Sequence, residues 1–140
     1  MKKYTLTIGA VTVAAIFLDQ ISKYFAKEFM EVSGNTGIAF GIQIPYAILL
    51  PLIVVLIIVG LILASNHLNL KNTYAQIAVG AVFGGAVSNL IDRVVHGHVV
   101  DFIEIWIWPV FNLADAFVTV GIFSVIIFYD RISKTNKHSK

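Results

Sequence analysis

The chain contains no cysteine. That absence removes disulfides, thiolate metal sites, cysteine nucleophiles and lipidation on cysteine together. Charge is also scarce. Asp, Glu, Lys and Arg make up 13% of the 140 residues, where a soluble domain carries about a quarter. With 58% hydrophobic residues and a mean hydropathy of +0.85, an ordinary water-soluble globule is excluded and the membrane is the expected environment. The net charge of +2 is small and scattered, so nucleic acid is not an expected partner. The length suits one domain over residues 1–140, with room for roughly four or five crossings at about 20 apolar residues each.

Uncharged stretches locate the crossings. Asn72 to Ile91 is an unbroken uncharged run, and Val32 to Leu70 carries no charge around an aliphatic segment from Ile44 to Ala64. A first run, Tyr4 to Leu18, reaches spanning length if Asp19 lies inside the helix and the helix continues to about Phe25. A last run, Ile105 to Tyr129, is interrupted only by Asp115. Irregular backbone cannot face lipid, so the expected fold is all-α and polytopic, with four transmembrane helices. Pro45 and Pro51 fall in the first turns of the second helix, where proline costs least. Met1 to about Ala15 also has the outline of a cleavable signal peptide, with Lys2 and Lys3 as its basic region. The continuation into an apolar helix with polar residues at helical spacing favours a span instead.

Orientation follows from the basic residues. With the N-terminus cytoplasmic, the inner side holds Lys2, Lys3, Lys71, Arg131, Lys134, Lys137 and Lys140, and the outer side holds Lys23, Lys27 and Arg93. This excess places both termini inside. The acids sort the other way: Asp19, Glu28, Glu31, Asp92, Asp101, Glu104 and Asp115 lie on or near the outer half, and Asp130 alone lies inside.

Each ionisable group near a span is a functional candidate until a partner explains it. Asp19 and Lys23 are four apart with the acid first, the favourable order for a helical pair. Asp19 is therefore either a structural ion pair capping the outer end of the first span or a catalytic group. The segment Asn35 to Gly41 mixes small and polar residues before the second span, as a turn or a close packing contact would. Gly80 and Gly84 are at the spacing of a helix-packing stripe. Asn89, Asp92 and Arg93 fall at i, i+3 and i+4 and can face one cavity. There they either grip an extended peptide or form a structural Asp92–Arg93 network.

Asp101 and Asp115 are separated by a Trp/Pro loop long enough to fold back and bring the two carboxylates together. Two close carboxylates do not both ionise cheaply, so one keeps a proton as acid while the other acts as base toward a shared water. This is the chemistry of an aspartic peptidase. His96 and His98 beside Asp101 suggest a metal, but the spacing is not that of a helical H-E-x-x-H site and surface histidines are expected. Trp106 and Trp108 fit interfacial anchors. No G-x-S-x-G elbow supports a serine triad.

Four motifs together resemble the lipoprotein signal peptidases, or signal peptidase II, the aspartic peptidases of the bacterial inner membrane. They are Asp19-Gln20-Ile21-Ser22-Lys23, the segment Asn35 to Gly41, the block Gly84 to Phe102, and Phe111-Asn112-Leu113-Ala114-Asp115. The resemblance implies a catalytic pair of Asp101 and Asp115, a substrate site lined by Asn35, Asn89, Arg93 and Asn112, and support from Asp19, Lys23 and Asp92. It implies no metal and no organic cofactor, a lipidated prolipoprotein as substrate, and cleavage just before the lipidated cysteine. A monomer in contact with membrane lipid is expected, with the active site toward the extracytoplasmic face. A small β-structured platform is expected between helices 1 and 2. Only eleven residues separate Lys23 from Asn35, which implies a truncated one. Ser88 stands where the family commonly has glycine. The alternative from the residues alone is a small proton-coupled transporter using Asp19, Asp92 and Asp115 as relay sites. A non-catalytic assembly factor is a third possibility.

Overall fold

A computed structural model describes residues 3–37, 42 and 44–134. Ile38 to Gly41 of the small-residue segment, and Lys2, Lys137 and Lys140 of the basic set, lie outside the described residues.

The chain runs through α1 (Lys3–Phe29), β1 (Ser33–Asn35), α2 (Tyr46–His67), α3 (Thr73–His96), β2 (Val99–Asp101), β3 (Ile103–Ile105), β4 (Trp108–Phe111), α4 (Leu113–Ile127) and α5 (Tyr129–Ile132). Among the described residues, α1 from Thr5, α2 and α3 are long and apolar enough to cross a membrane. The α1 helix outruns its expected end at Phe25, and α3 continues past Ile91 because Asp92 and Arg93 are sheltered within the bundle. Gly97, at a left-handed φ of 77°, ends α3 by returning its N–H to the Arg93 carbonyl. Pro45 caps α2, while Pro51 lies beyond the first turn, inside the helix.

Asp115 lies in the first turn of the fourth long helix, as expected, while the apolar run that leads to it from Ile105 is not helical at its start. Ile105 and Trp108 belong to the β3–β4 hairpin, and α4 starts only at Leu113. Alternating apolar residues before a proline suit a strand as well as a helix, and hydropathy does not separate the two. The short β element expected between helices 1 and 2 is present. Strand β1 does lie between helices 1 and 2, but it pairs antiparallel with β2, from the connection between α3 and α4. Its register sets Ser33 opposite Asp101, Gly34 opposite Val100 and Asn35 opposite Val99. The short segment after Lys23 is largely consumed by the last turns of α1, leaving a three-residue strand.

Helix α3 is the axis of the molecule, packed along α1 on one side and α4 on the other, whereas α2 leans on it only lightly. Close packing rests on glycine, as the sequence suggests. A Cβ at Gly84 would fall 2.6 Å from that of Ala15, and one at Gly80 would fall 2.7 Å from that of Val11. At the end where α2, α3 and α5 meet, Leu68, Ala75, Val79 and Ile132 form a buried apolar cluster. It is tied by Asn69 N–H to the Ile132 carbonyl at 2.7 Å and Lys134 N–H to the His67 carbonyl at 2.9 Å.

Candidate active site

The opposite end of the bundle is polar inside. One turn of α1 sets Asp19 and Lys23 on the same face, and both are almost fully buried. Lys23 Nζ lies 2.6 Å from Asp19 Oδ2 and 2.8 Å from Asp92 Oδ2, and it donates to Asn89 Oδ1 at 3.0 Å. The expected Asp19–Lys23 pair is present. The ion pair of Asp92 is made with Lys23 rather than with its neighbour Arg93. Asp19 does not cap α1, which continues beyond it. Its Oδ1 accepts the backbone N–H of Ala114 at 2.7 Å, in the first turn of α4. That amide is one of the orphan donors of a helix start, so a carboxylate of α1 fixes where α4 begins.

The local sequence Asn112-Leu113-Ala114-Asp115 forms a capping box. Asn112 Oδ1 accepts from the Asp115 N–H at 2.9 Å, and Asp115 Oδ2 accepts from the Asn112 N–H at 3.3 Å. The other end of the Asn112 amide donates to Asp101 Oδ1 at 2.6 Å and to Asn89 Oδ1 at 3.1 Å. Asn89 in turn donates to Asp115 Oδ1 at 2.8 Å. One asparagine therefore caps α4, positions Asp115 and holds Asp101 at the end of β2. Asn112 thus donates to both aspartates, fourteen positions apart in sequence, through its side-chain amide to Asp101 and its backbone N–H to Asp115.

Asn35 completes the Asp101 side. Its Oδ1 accepts from the Gly37 N–H at 3.0 Å in an Asx-type turn, which aims its Nδ2 at Asp101 Oδ2, also at 3.0 Å. Arg93 reaches the same turn, donating to the Gly37 carbonyl at 3.0 Å and to the Asn89 carbonyl at 3.3 Å. Its Nε is buried without a hydrogen-bond partner. All nine residues singled out in the sequence thus meet in one contiguous network.

Burial holds the Asp101 carboxyl above the usual carboxylate range; the Asn35 hydrogen bond opposes this, while the charge of Asp115 adds to it. Asp101 is 2% exposed, and Asp115 is half-buried. Among the described residues no group of three or more His, Asp or Glu is placed to hold a metal ion. His98 lies over Gly34, and His96 is exposed.

Three members were not singled out from the sequence. Gln20 donates to Asp92 Oδ1 at 2.8 Å and to Ser88 Oγ at 3.0 Å. The fully buried Ser88 donates to Asp19 Oδ2 at 2.7 Å. The Tyr46 hydroxyl, at the start of α2, donates to the Arg93 carbonyl. For Gln20 and Ser88 a signal existed, since each sits inside a polar motif on an otherwise apolar helix. Tyr46 offered none.

The comparisons with known proteins agree with this geometry. Residues 11–131 match the family model described as signal peptidase (SPase) II. The chain is 33% identical to a lipoprotein signal peptidase of Halothermothrix orenii, covering 84% of this chain and 91% of that one. It is 36% identical to a lipoprotein signal peptidase of Nostoc punctiforme, covering 81% and 82%. A solved structure described as a bacterial membrane enzyme superposes with a TM-score of 0.77 at 27% identity, covering 96% of this chain and 93% of that one. With the match running through every motif that builds the buried network, the chain belongs to the signal peptidase II family.

Proposed function

We propose that the chain is a membrane aspartic endopeptidase that removes the signal peptide from diacylglyceryl-modified prolipoproteins, cutting before the lipidated cysteine. The relatives are named lipoprotein signal peptidases, which supports the substrate. The observation that carries the chemistry is the Asn112 bridge between Asp101 and Asp115. Asp101, the more deeply buried, holds the proton. Asp115 takes a proton from water as the water oxygen attacks the scissile carbonyl carbon, and Asp101 donates to the developing oxyanion. When the C–N bond breaks, the proton on Asp115 passes to the leaving amine and the Asp101 carboxyl is restored. Asn89 and Asn112 orient the pair. Arg93 and Asn35 hold the peptide backbone. Asp19, Lys23 and Asp92 keep the helices in register. The mechanism calls for neither metal nor organic cofactor, and the enzyme acts as a monomer in lipid, without nucleic acid.

The enzyme sits in the bacterial inner membrane with the dyad at the extracytoplasmic face. The charge asymmetry supports this, since Lys71, Arg131 and Lys134 are exposed at the end opposite the dyad. At the dyad end, Lys23 and Arg93 are internal and Lys27 is exposed. At 15 residues, α4 is about 22 Å long, short of the hydrocarbon thickness of about 30 Å. Continued through α5, Leu113–Ile132 makes twenty positions and completes the fourth crossing. The β1–β2 pair and the β3–β4 hairpin then lie at the outer surface. Family membership gives the transporter alternative no support. The deciding experiment is incubation of purified protein with diacylglyceryl-modified and unmodified precursor side by side. Cleavage of the modified precursor alone is expected; equal cleavage of both, or of neither, overturns the proposal.

A further inference from the structure

From Ile105 to Phe111 the chain holds only Ile, Trp, Pro, Val and Phe. Successive side chains of a strand alternate between its two faces, so the β3–β4 hairpin is apolar on both. Trp106 is 90% exposed and Ile107 80%, with Ile105 and Trp108 more than half exposed. A hairpin standing in water keeps one polar face, and this one has none.

The turn adds a second observation. Trp106 and Ile107 join the paired residues Ile105 and Trp108, and Trp106 sits at φ 46°. Two-residue hairpin turns take glycine or asparagine where φ is positive, and a bulky side chain there is an outlier that costs free energy. Exposed as it is, Trp106 recovers little of that cost inside the fold. Strain held at an exposed tip points to a contact outside the chain.

What covers the tip follows from where it hangs. The hairpin leads from Asp101 to Asn112, the cap of α4, and its base is closed by Phe102 N–H on the Phe111 carbonyl at 3.1 Å. It therefore hangs between the polar ends of α3 and α4, both apolar helices of the bundle, and so at the edge of the bilayer. A two-stranded hairpin leaves backbone donors and acceptors open along both edges, which the hydrocarbon core cannot satisfy. The lipid–water boundary satisfies them, and tryptophan prefers to lie there. At its base the hairpin is tied to the dyad, since Asn112 donates to Asp101 at 2.6 Å. A depth fixed at the tip is thus passed to the two carboxylates.

We propose that the Trp106–Ile107 tip docks into the head-group layer of the bilayer and so holds the Asp101–Asp115 dyad at the depth where a diacylglyceryl anchor places the scissile bond. This rests on the reading of the chain as a lipoprotein peptidase. Recognition of the lipidated cysteine is then in part a match of depths. Enzyme and modified substrate are moored to the same boundary, and an unmodified precursor is not.

The chain has two tryptophans, both in this hairpin, so the intrinsic emission of the unlabelled full chain reads its position. In phosphatidylcholine nanodiscs, bromine near the glycerol end of the acyl chains is expected to quench this emission more than bromine near the methyl end, with little quenching by aqueous acrylamide. Acrylamide quenching as complete as for free tryptophan, or stronger quenching by the deep bromine, overturns the proposal. Shielding that arises only when precursor is added also overturns it and gives the tip to peptide. None of these readings needs cleavage, so their failure is distinct from a failure of the substrate assignment. Glycine accepts a φ of 46° without strain, so Trp106→Gly folds, with helical content checked by circular dichroism. When only a fraction of dyads lies at the right depth, KM rises by the inverse of that fraction while the bound complex reacts normally. A rise of about tenfold in KM for the modified precursor in nanodiscs is expected, with kcat unchanged and KM restored by Trp106→Tyr. In detergent micelles, where no bilayer sets the depth, Trp106→Gly matches wild type. An equal loss in micelles and nanodiscs, or an unchanged KM in nanodiscs, overturns the depth role.

Discussion

The two ends of this helix bundle are held by different physics. Around the dyad, the buried side chains are Asp19, Lys23, Ser88, Asp92, Arg93, Asp101 and Asn112, joined by hydrogen bonds and ion pairs. At the far end, Leu68, Ala75, Val79 and Ile132 are buried, and the ties between segments run mostly through backbone. A hydrogen-bonded network fixes atoms to within tenths of an ångström but is costly to leave incomplete. An apolar cluster tolerates small displacements. The proposed dyad sits where position matters, and the anchorage sits where it matters less.

The sharpest break in this contrast is at the dyad itself. Asp101→Asn or Asp115→Asn is expected to lower cleavage of a lipidated precursor about 100-fold or more, with helical content unchanged. Normal turnover by either variant removes the pair from the mechanism. Next is Lys23→Met, which strands Asp19 and Asp92 as buried charges. Breaking such a pair costs about 3–5 kcal/mol, read as an earlier unfolding midpoint in denaturing detergent together with loss of cleavage. A midpoint close to wild type would mean that the network is not held by its charges.

At the apolar end, Ile132→Ala should cost about 2–4 kcal/mol, yet leave the pH dependence of cleavage unchanged in the fraction that remains folded. A shifted profile would show that the two ends are coupled. The smallest effect is expected from Asn35→Ala. Burial and the Asp115 charge raise Asp101, and its proton is required, so activity falls as pH climbs through that raised value. Because the titration belongs to the pair, the acid limb reports the second proton. The Asn35 bond favours the charged form of Asp101, so removing it moves the alkaline limb to higher pH. A shift to lower pH would contradict the assignment of the proton.

The contrast also explains what could be read in advance. The three long helices were legible because uncharged runs of spanning length have one economical conformation in lipid. The meeting of Asp101 and Asp115 was legible because two acids flanked a short loop. The β3–β4 hairpin was not, since Ile105 to Val110 reads as apolar whether it is strand or helix. Nor was the pairing of β1 with β2, or that of Lys23 with Asp92. Those partners are brought together by helix packing across dozens of residues, and nothing local announces them. Ser88 stood out only as a departure from the family's glycine, whereas its hydroxyl completes the shell of Asp19.

The bond from Asp19 to the Ala114 amide has a consequence for the order of assembly. Helix α1 carries the carboxylate that receives α4, which follows it in the chain, and α3 stands between them with Asn89 bonded to Asp115. A partly made chain therefore has no dyad, however many of its helices are already inserted. Asp101 and Asp115 are thus brought together only once α4 has packed against both α1 and α3.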